Sequence, residues 1–190
     1  LAQSAGARWG GIDLWVHAAI HAAPLAPAGH IDTKDFDKSA ACNIRATAGL
    51  IAVIEPLLRA RGGTALFFDD PRGGEKFFGA YGATKAAQIA LARSWQAEAA
   101  KVGPRVLIAT PAAMPTATRA RFFPGEDRTR LTDPAAEAAL GQETLTRLRR
   151  ARSCSLIYPS TITCWSNRSS LTSRRGSRSS PARPALASRS

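Results

Sequence analysis

The chain has few of the residues from which stapled or metal-bound domains are built. Only Cys42, Cys154 and Cys164 occur among 190 residues. Their number is odd and they form no C-x-x-C pair, which argues against a disulfide framework or a zinc site and for a reducing cytoplasm. No apolar run approaches the roughly 20 residues of a membrane-spanning helix, so no membrane segment is predicted. The start, "LAQSAGARWGG", lacks an initiator Met and the basic and apolar regions of a secretory leader, and it reads as the interior of something longer. Acids are scarce too, 14 Asp and Glu against 26 Lys and Arg, for a net charge of +12. Over half of that excess lies in residues 151–190, where seven arginines occur without an acid. The remaining body is only mildly basic. Charge alone therefore does not mark the whole chain as a nucleic-acid binder, and the tail has little aromatic content to stack on bases. Nucleic acid is not an expected partner.

What is present suits one packed α/β domain. Hydrophobic residues make up 45% of the chain, and 190 residues allow a single core. "IDLWVHA" (12–18), "GGTALFF" (62–68) and "GPRVLIATP" (103–111) are short apolar runs that read as strands buried on both faces. Between them, Asp35 to Arg61 places apolar residues at helical spacing, with Thr33 or Asp35 as N-cap and Pro56 as a late kink or stop. A second helix is predicted from near Ala80 to about Lys101. Strand, helix, strand, helix, strand at this spacing is the pattern of right-handed crossovers in a parallel sheet. After Thr116 periodicity is lost until Pro134, where Asp133 can cap a last helix. The organisation expected is a domain over residues 1–150 and a disordered Ser/Arg-rich tail over 151–190.

The segment "FFDDPRGGEKFFGAYGATKAAQIAL" carries the chemistry. On a helix, Tyr81 and Lys85 share one face. An ammonium near a phenol favours the phenolate and lowers its pKa from about 10, so Tyr81 can exchange a proton with a carbonyl or alcohol oxygen. The pair opens a helix that follows a parallel strand, the end of an open sheet where ligands bind.

From about Gly10 to Pro134 the sequence resembles the short-chain dehydrogenase/reductase family. "GGIDLWVHAA" is similar to that family's fourth strand and the place of its N-N-A-G motif. "ACNIRATAGLI" resembles the helix with the family's asparagine, "GGTALFF" the fifth strand, "AYGATKAA" the Y-x-x-x-K signature, and "PRVLIATPAAMPT" the sixth strand with its P-G-x-x-x-T turn. The resemblance implies a partial Rossmann-like, doubly wound parallel sheet comprising strands four to six, with NADP or NAD as cofactor and hydride transfer to or from a carbonyl or alcohol substrate. By it Tyr81 is the general acid/base, Lys85 lowers its pKa and bonds the nicotinamide ribose, and Asn43 holds a water in a proton relay. Ala18, Ala19, Pro111 and Thr116 fall at cofactor-contacting positions, with Thr116 toward the carboxamide. A homodimer through the two long helices is a further implication.

The departures from that pattern are specific. Asp69-Asp70 stands where the family has a serine that holds the substrate oxygen, which makes Asp70 a candidate catalytic group. An ionised carboxylate only accepts hydrogen bonds, and it raises a neighbouring phenol's pKa. Ile20 and Ala112 replace glycines beside the cofactor. The T-G-x-x-x-G-x-G loop that opens the family's fold is absent, as if the first third were missing. His17 and His21 read as loop or core histidines. The alternative to an impaired oxidoreductase is therefore a catalytically silent member of the fold that acts as a binding module.

Overall fold

The computed structural model describes residues 2–150, with side chains described as far as residue 146. The expected disordered tail lies outside the described residues. Three strands, β1 (Leu14–His17), β2 (Thr64–Phe68) and β3 (Arg105–Ala109), form one parallel sheet in the order β1-β2-β3. Their register aligns Leu14 with Thr64 and Thr64 with Arg105. Each parallel step is bridged by a helical crossover, as the sequence spacing predicts.

The strands differ in cover. In β2, Thr64 to Phe67 are buried, and in β3 Val106 to Ile108 are buried, as continuous apolar runs require. β1 corrects the expectation of a strand buried on both faces. Trp15 packs against the core cluster and His17 is buried, whereas Leu14 and Val16 remain 40% and 44% exposed. Alternate residues point to opposite faces, and among the described residues only the Trp15/His17 face has helices against it. β1 is also the sheet's edge, paired on one side.

Helix α1 (Ala2–Trp9), read as no element from the sequence, lies against α3 (Thr47–Arg61), and Gly6 lets it approach Leu57. The run from Thr33 to Arg61 is one helical path of three parts: α2 (Thr33–Ser39), a π-turn (Ala40–Ala46) and α3. Its N-cap is Asp32, whose Oδ1 accepts the Asp35 N–H at 3.0 Å, in place of the expected Thr33 or Asp35; a carboxylate just before the first turn reaches that orphan donor. Pro56 is accommodated, and the helix ends at Gly62. By length and composition this 29-residue path could cross a membrane. In the fold its buried side chains, among them Asn43, Thr47, Ile54 and Leu58, are turned into the domain.

Helix α4 (Gly79–Ala99) supplies Ile89, Ala92 and Trp95 to a core that also contains Leu58, Phe67, Val106 and Ile108. Trp95 stands edge-on to Phe67, and Trp15 edge-on to the same ring. Three helical elements follow β3, one of them a single 3-10 turn (Arg128–Arg130). Helix α5 (Ala117–Phe122), missed in the aperiodic stretch, is capped by the Thr116 hydroxyl. Helix α6 (Pro134–Arg150) is capped by Asp133, as expected, and its Glu137 accepts the Ala112 N–H.

The turn into β2 fixes how closely α3 meets the sheet. A Cβ on Gly63 would collide with the Ile12 carbonyl and lie 2.8 Å from Leu58, whereas one on Gly49, inside α3, would meet nothing within 4 Å. Gly63→Ala should lower the urea midpoint, while Gly49→Ala should stabilise the chain by roughly 0.5–1 kcal/mol by relieving backbone entropy. Equal shifts for the two variants would contradict the packing at that turn.

Candidate functional site

The carboxyl ends of the three strands, the first turn of α4 and the segment from Thr110 into α5 enclose an open cavity of about 410 Å³. Tyr81, Lys85, Asp70, Ala18, Pro111 and Thr116 line it; Ala19 is exposed and does not. Asn43 is not in the wall either. It lies fully buried behind it.

The π-turn explains Asn43's position. Inserting one residue into a helical turn displaces the hydrogen-bond ladder, and such bulges recur at functional sites. The Asn43 carbonyl accepts from the Thr47 hydroxyl at 2.8 Å. Its amide clamps the loop after β1, accepting from His21 N at 2.8 Å and donating to His21 O at 2.9 Å, and its second N–H reaches the Thr84 hydroxyl on α4 at 3.0 Å. His21 itself rests on Ser39 of α2. The Asn43 side chain thus joins the π-turn, the loop after β1 and α4, and His21 extends the link to α2.

A second buried chain of bonds begins at Lys85. Its ammonium, 6% exposed, donates to Gln88 Oε1 at 2.7 Å. The Gln88 amide nitrogen reaches the Thr47 hydroxyl at 3.1 Å and His17 Nε2 at 3.2 Å. His17 Nε2 also lies 3.0 Å from the Thr47 hydroxyl oxygen, so it is shared between the two side chains. Burial and the neighbouring Lys85 charge both hold the imidazole's pKa below its ordinary value, which favours the neutral ring. His17 is a core histidine that also floors the cavity.

Tyr81 is held among rings, 5.0 Å from Phe122 and 6.3 Å from Phe78, and its hydroxyl donates to Asp70 Oδ2 at 2.9 Å. The Asp70 carboxylate is gripped from the other side by Arg72, 3.2 Å from Oδ1. The sequence reading has Lys85 lowering the phenol's pKa. In the structure burial, followed by the charge and hydrogen bond of Asp70, pushes it well above the usual phenol value, as the carboxylate alternative anticipates. Lys85 moves the other way: burial lowers its ammonium to about 8, against the pull of Asp69 and Asp70. At neutral pH the site therefore presents a protonated phenol and an ammonium near its titration point.

Gln88, Thr47, Thr84 and Arg72 were not read from the sequence as site residues. Gln88 carries the clearest signal, lying seven residues after Tyr81 and three after Lys85, on the face of α4 that also carries Ile89, Ala92 and Trp95 into the core. Thr47 is four residues after Asn43, the spacing of a hydroxyl that bonds back to the preceding turn.

A family model described as enoyl-(acyl carrier protein) reductase matches residues 1–149. A comparison with curated proteins finds no match. Among solved structures, the Escherichia coli oxidoreductase yciK is 27% identical, with a TM-score of 0.64 over 70% of this chain and 56% of its own. A chain of Escherichia coli CFT073, assigned as a short-chain dehydrogenase and solved with NADPH, is also 27% identical, with a TM-score of 0.68 over 74% of this chain and 59% of that one. The short-chain dehydrogenase of Shigella flexneri has 27% identity and a TM-score of 0.64, over 70% and 53%. This chain spans a little over half the length of those relatives. With a parallel sheet that places Y-x-x-x-K at its carboxyl end, and a family match over most of its length, the chain belongs to the short-chain dehydrogenase/reductase family.

Proposed function

We propose that this chain carries the nicotinamide end of an NAD(P)-dependent oxidoreductase site acting on a small carbonyl or alcohol substrate. The observation that carries the reading is the presentation of Tyr81 and Lys85 to a single cavity at the strand ends, one turn apart on α4. A bound nicotinamide would supply or accept the hydride. The residues fit that half of the cofactor: an ammonium has three donors, Gln88 takes one of Lys85's, and the others suit ribose hydroxyls. Ala18, Pro111 and Thr116 offer the adjoining wall, with Ala19 beside it. For the pyrophosphate, the described residues contain no glycine-rich turn opening a helix at this end of the sheet. The relatives solved with NADPH and NADP support a nicotinamide cofactor of either phosphate state.

Tyr81 exchanges a proton with the substrate oxygen, Lys85 orients the ribose and balances charge, and the rings of Phe78, Phe122 and Tyr81 keep water from that side. Asn43 positions the loop after β1 through both ends of its amide; its proposed water relay would have to run beside those bonds. A homodimer in a reducing cytoplasm belongs to the same proposal, supported by Phe36, Leu50 and Val53, which are exposed on the outer face of the α2–α3 path. A second reading, a binding module without chemistry, draws on Ile20 in the cavity wall and on the engagement of the Tyr81 proton by Asp70.

Fluorescence titration with NADPH and then NADH should saturate, and Lys85→Met should weaken the binding of both by at least about tenfold if a charge-assisted hydrogen bond is lost. With a carbonyl substrate, Tyr81→Phe should reduce turnover on the order of a hundredfold or more. Binding without Tyr81-dependent turnover would select the second reading, and absence of binding by the folded chain would overturn the first.

Lys85 also gives a stability signature that needs no ligand. Its folded pKa is about 8, below its ordinary 10.5, so between those values the unfolded chain holds more protons and stability rises with pH. The Tyr81 shift works in the opposite sense only above pH 10, the phenol's unfolded value. From pH 8 to 10 the wild type should therefore gain stability relative to Lys85→Met in urea unfolding. A flat difference across that window would show that the ammonium is not buried.

A further inference from the structure

The direction of the Tyr81 hydrogen bond has a mechanistic meaning. Its hydroxyl proton points at Asp70 Oδ2, 2.9 Å away, so the phenol turns only lone pairs toward the cavity. The Asp70 side chain is 36% exposed and can exchange a proton with water. On the opposite side the Asn43 amide, buried behind the cavity wall, is engaged by His21 and Thr84, and Lys85 gives one of its three donors to Gln88.

We propose that Asp70 is the proton acceptor of a Tyr81–Asp70 dyad, with Arg72 as the positioning residue that holds the carboxylate. The proposal rests on the oxidoreductase reading above and specifies the outlet for its proton. When an alcohol is oxidised, its O–H proton passes to Tyr81 Oη as the phenol's own proton passes to Asp70 Oδ2. The carbinol hydrogen leaves with its electron pair to an oxidised nicotinamide, the C–O bond becomes C=O, and Asp70 releases its proton to water. Carbonyl reduction is the same sequence reversed, beginning from protonated Asp70.

The loop that carries Asp70 is built to stay in place. Gly82, directly after Tyr81, has no Cβ, and one added there would lie 2.6 Å from the Arg72 carbonyl. The absence of that atom lets the loop rest on α4. The Arg72 guanidinium lies 5.3 Å from the ring of Phe123 and 5.7 Å from that of Phe78, and it also bonds Glu75 at 2.9 Å. Phe77, with φ of +70°, accepts the Ala26 N–H through its carbonyl and ties the loop's end to the segment after β1. A non-glycine residue in that region is held by its surroundings. The other charged groups around the dyad are Asp69 on the same loop, Lys85 on α4, His17 on β1 and Arg119 on α5. Asp69 bonds Arg93 and Arg119 bonds Glu126, so Asp70 is the carboxylate in contact with the phenol.

The test uses the full chain, in which Tyr81 and Tyr158 are the only tyrosines, and Tyr81→Phe isolates the signal of Tyr81 in an ultraviolet phenol titration. Asp70→Asn should lower the Tyr81 midpoint by about one to three pH units, the size of shift that a charge within about 4–6 Å produces. Gly82→Ala, which lifts the loop without removing a charge, should lower it in the same sense. An unchanged midpoint in Asp70→Asn would overturn the dyad, and so would a large shift in Lys85→Met with none in Asp70→Asn. In alcohol oxidation with NADP or NAD, Asp70→Asn should lose on the order of a hundredfold in kcat/KM, and Asp70→Glu should recover part of it with an altered pH profile. Turnover that needs Tyr81 but is indifferent to Asp70→Asn would defeat this inference alone. A phenol that responds to Asp70 in a chain showing no hydride transfer would leave the dyad standing and defeat the oxidoreductase reading.

Discussion

Gln88 is fully buried, and its amide must find partners on both sides or cost the fold about 1–3 kcal/mol for each group left unsatisfied. It finds Lys85 on its oxygen, and Thr47 and His17 on its nitrogen. That pairing crosses between α4, α3 and β1, and from Thr47 it continues to Asn43 and so to the loop after β1 and back to α4 at Thr84. The sheet and its helices are therefore joined by an apolar core and by a closed set of buried polar bonds. The cavity floor is the upper surface of that set. A change of rotamer in one member strands the next, which is why Lys85 can be held at the floor in spite of the cost of burying an ammonium.

The electrostatics follow from the same geometry. Burial moves the two signature groups in opposite directions because their charged forms have opposite protonation: the ammonium loses its proton more readily and the phenol less readily. Asp70 then widens the gap for Tyr81, while Arg72 narrows it. A serine at that place would donate or accept as required. A carboxylate only accepts, and it turns the phenol's hydrogen away from the cavity.

Much of this was legible in the sequence. The three apolar runs became the three parallel strands because their β-branched and aromatic residues are flanked by glycine and proline turns. The Tyr81 and Lys85 pair followed from helical spacing, and Asp70 from the resemblance that sets it at the family's serine position. The exposed face of β1 was not legible, since an apolar run tells how much is hydrophobic and not whether a neighbour exists to cover it. The π-turn was invisible because Ala40 to Ala46 has ordinary helical composition, and the partners that Asn43 finds there are set by tertiary approach. Gln88 and Arg72 were passed over because their partners are set by tertiary approach, 71 residues away for His17 and across a glycine contact for the Arg72 loop. Helix α5 escaped as a six-residue element too short to show a period.

On the proposed function, the nicotinamide end of the cofactor would meet this chain at the carboxyl ends of β1 to β3, over the buried network. Amide hydrogen exchange measured with and without saturating NADPH reads that place directly. Added protection is expected at residues 17–20, at 110–116 and in the first turns of α4, with little change at the opposite ends of the strands around Gly62 and Arg105. Protection confined to those opposite ends, or to the outer face of the α2–α3 path, would contradict it.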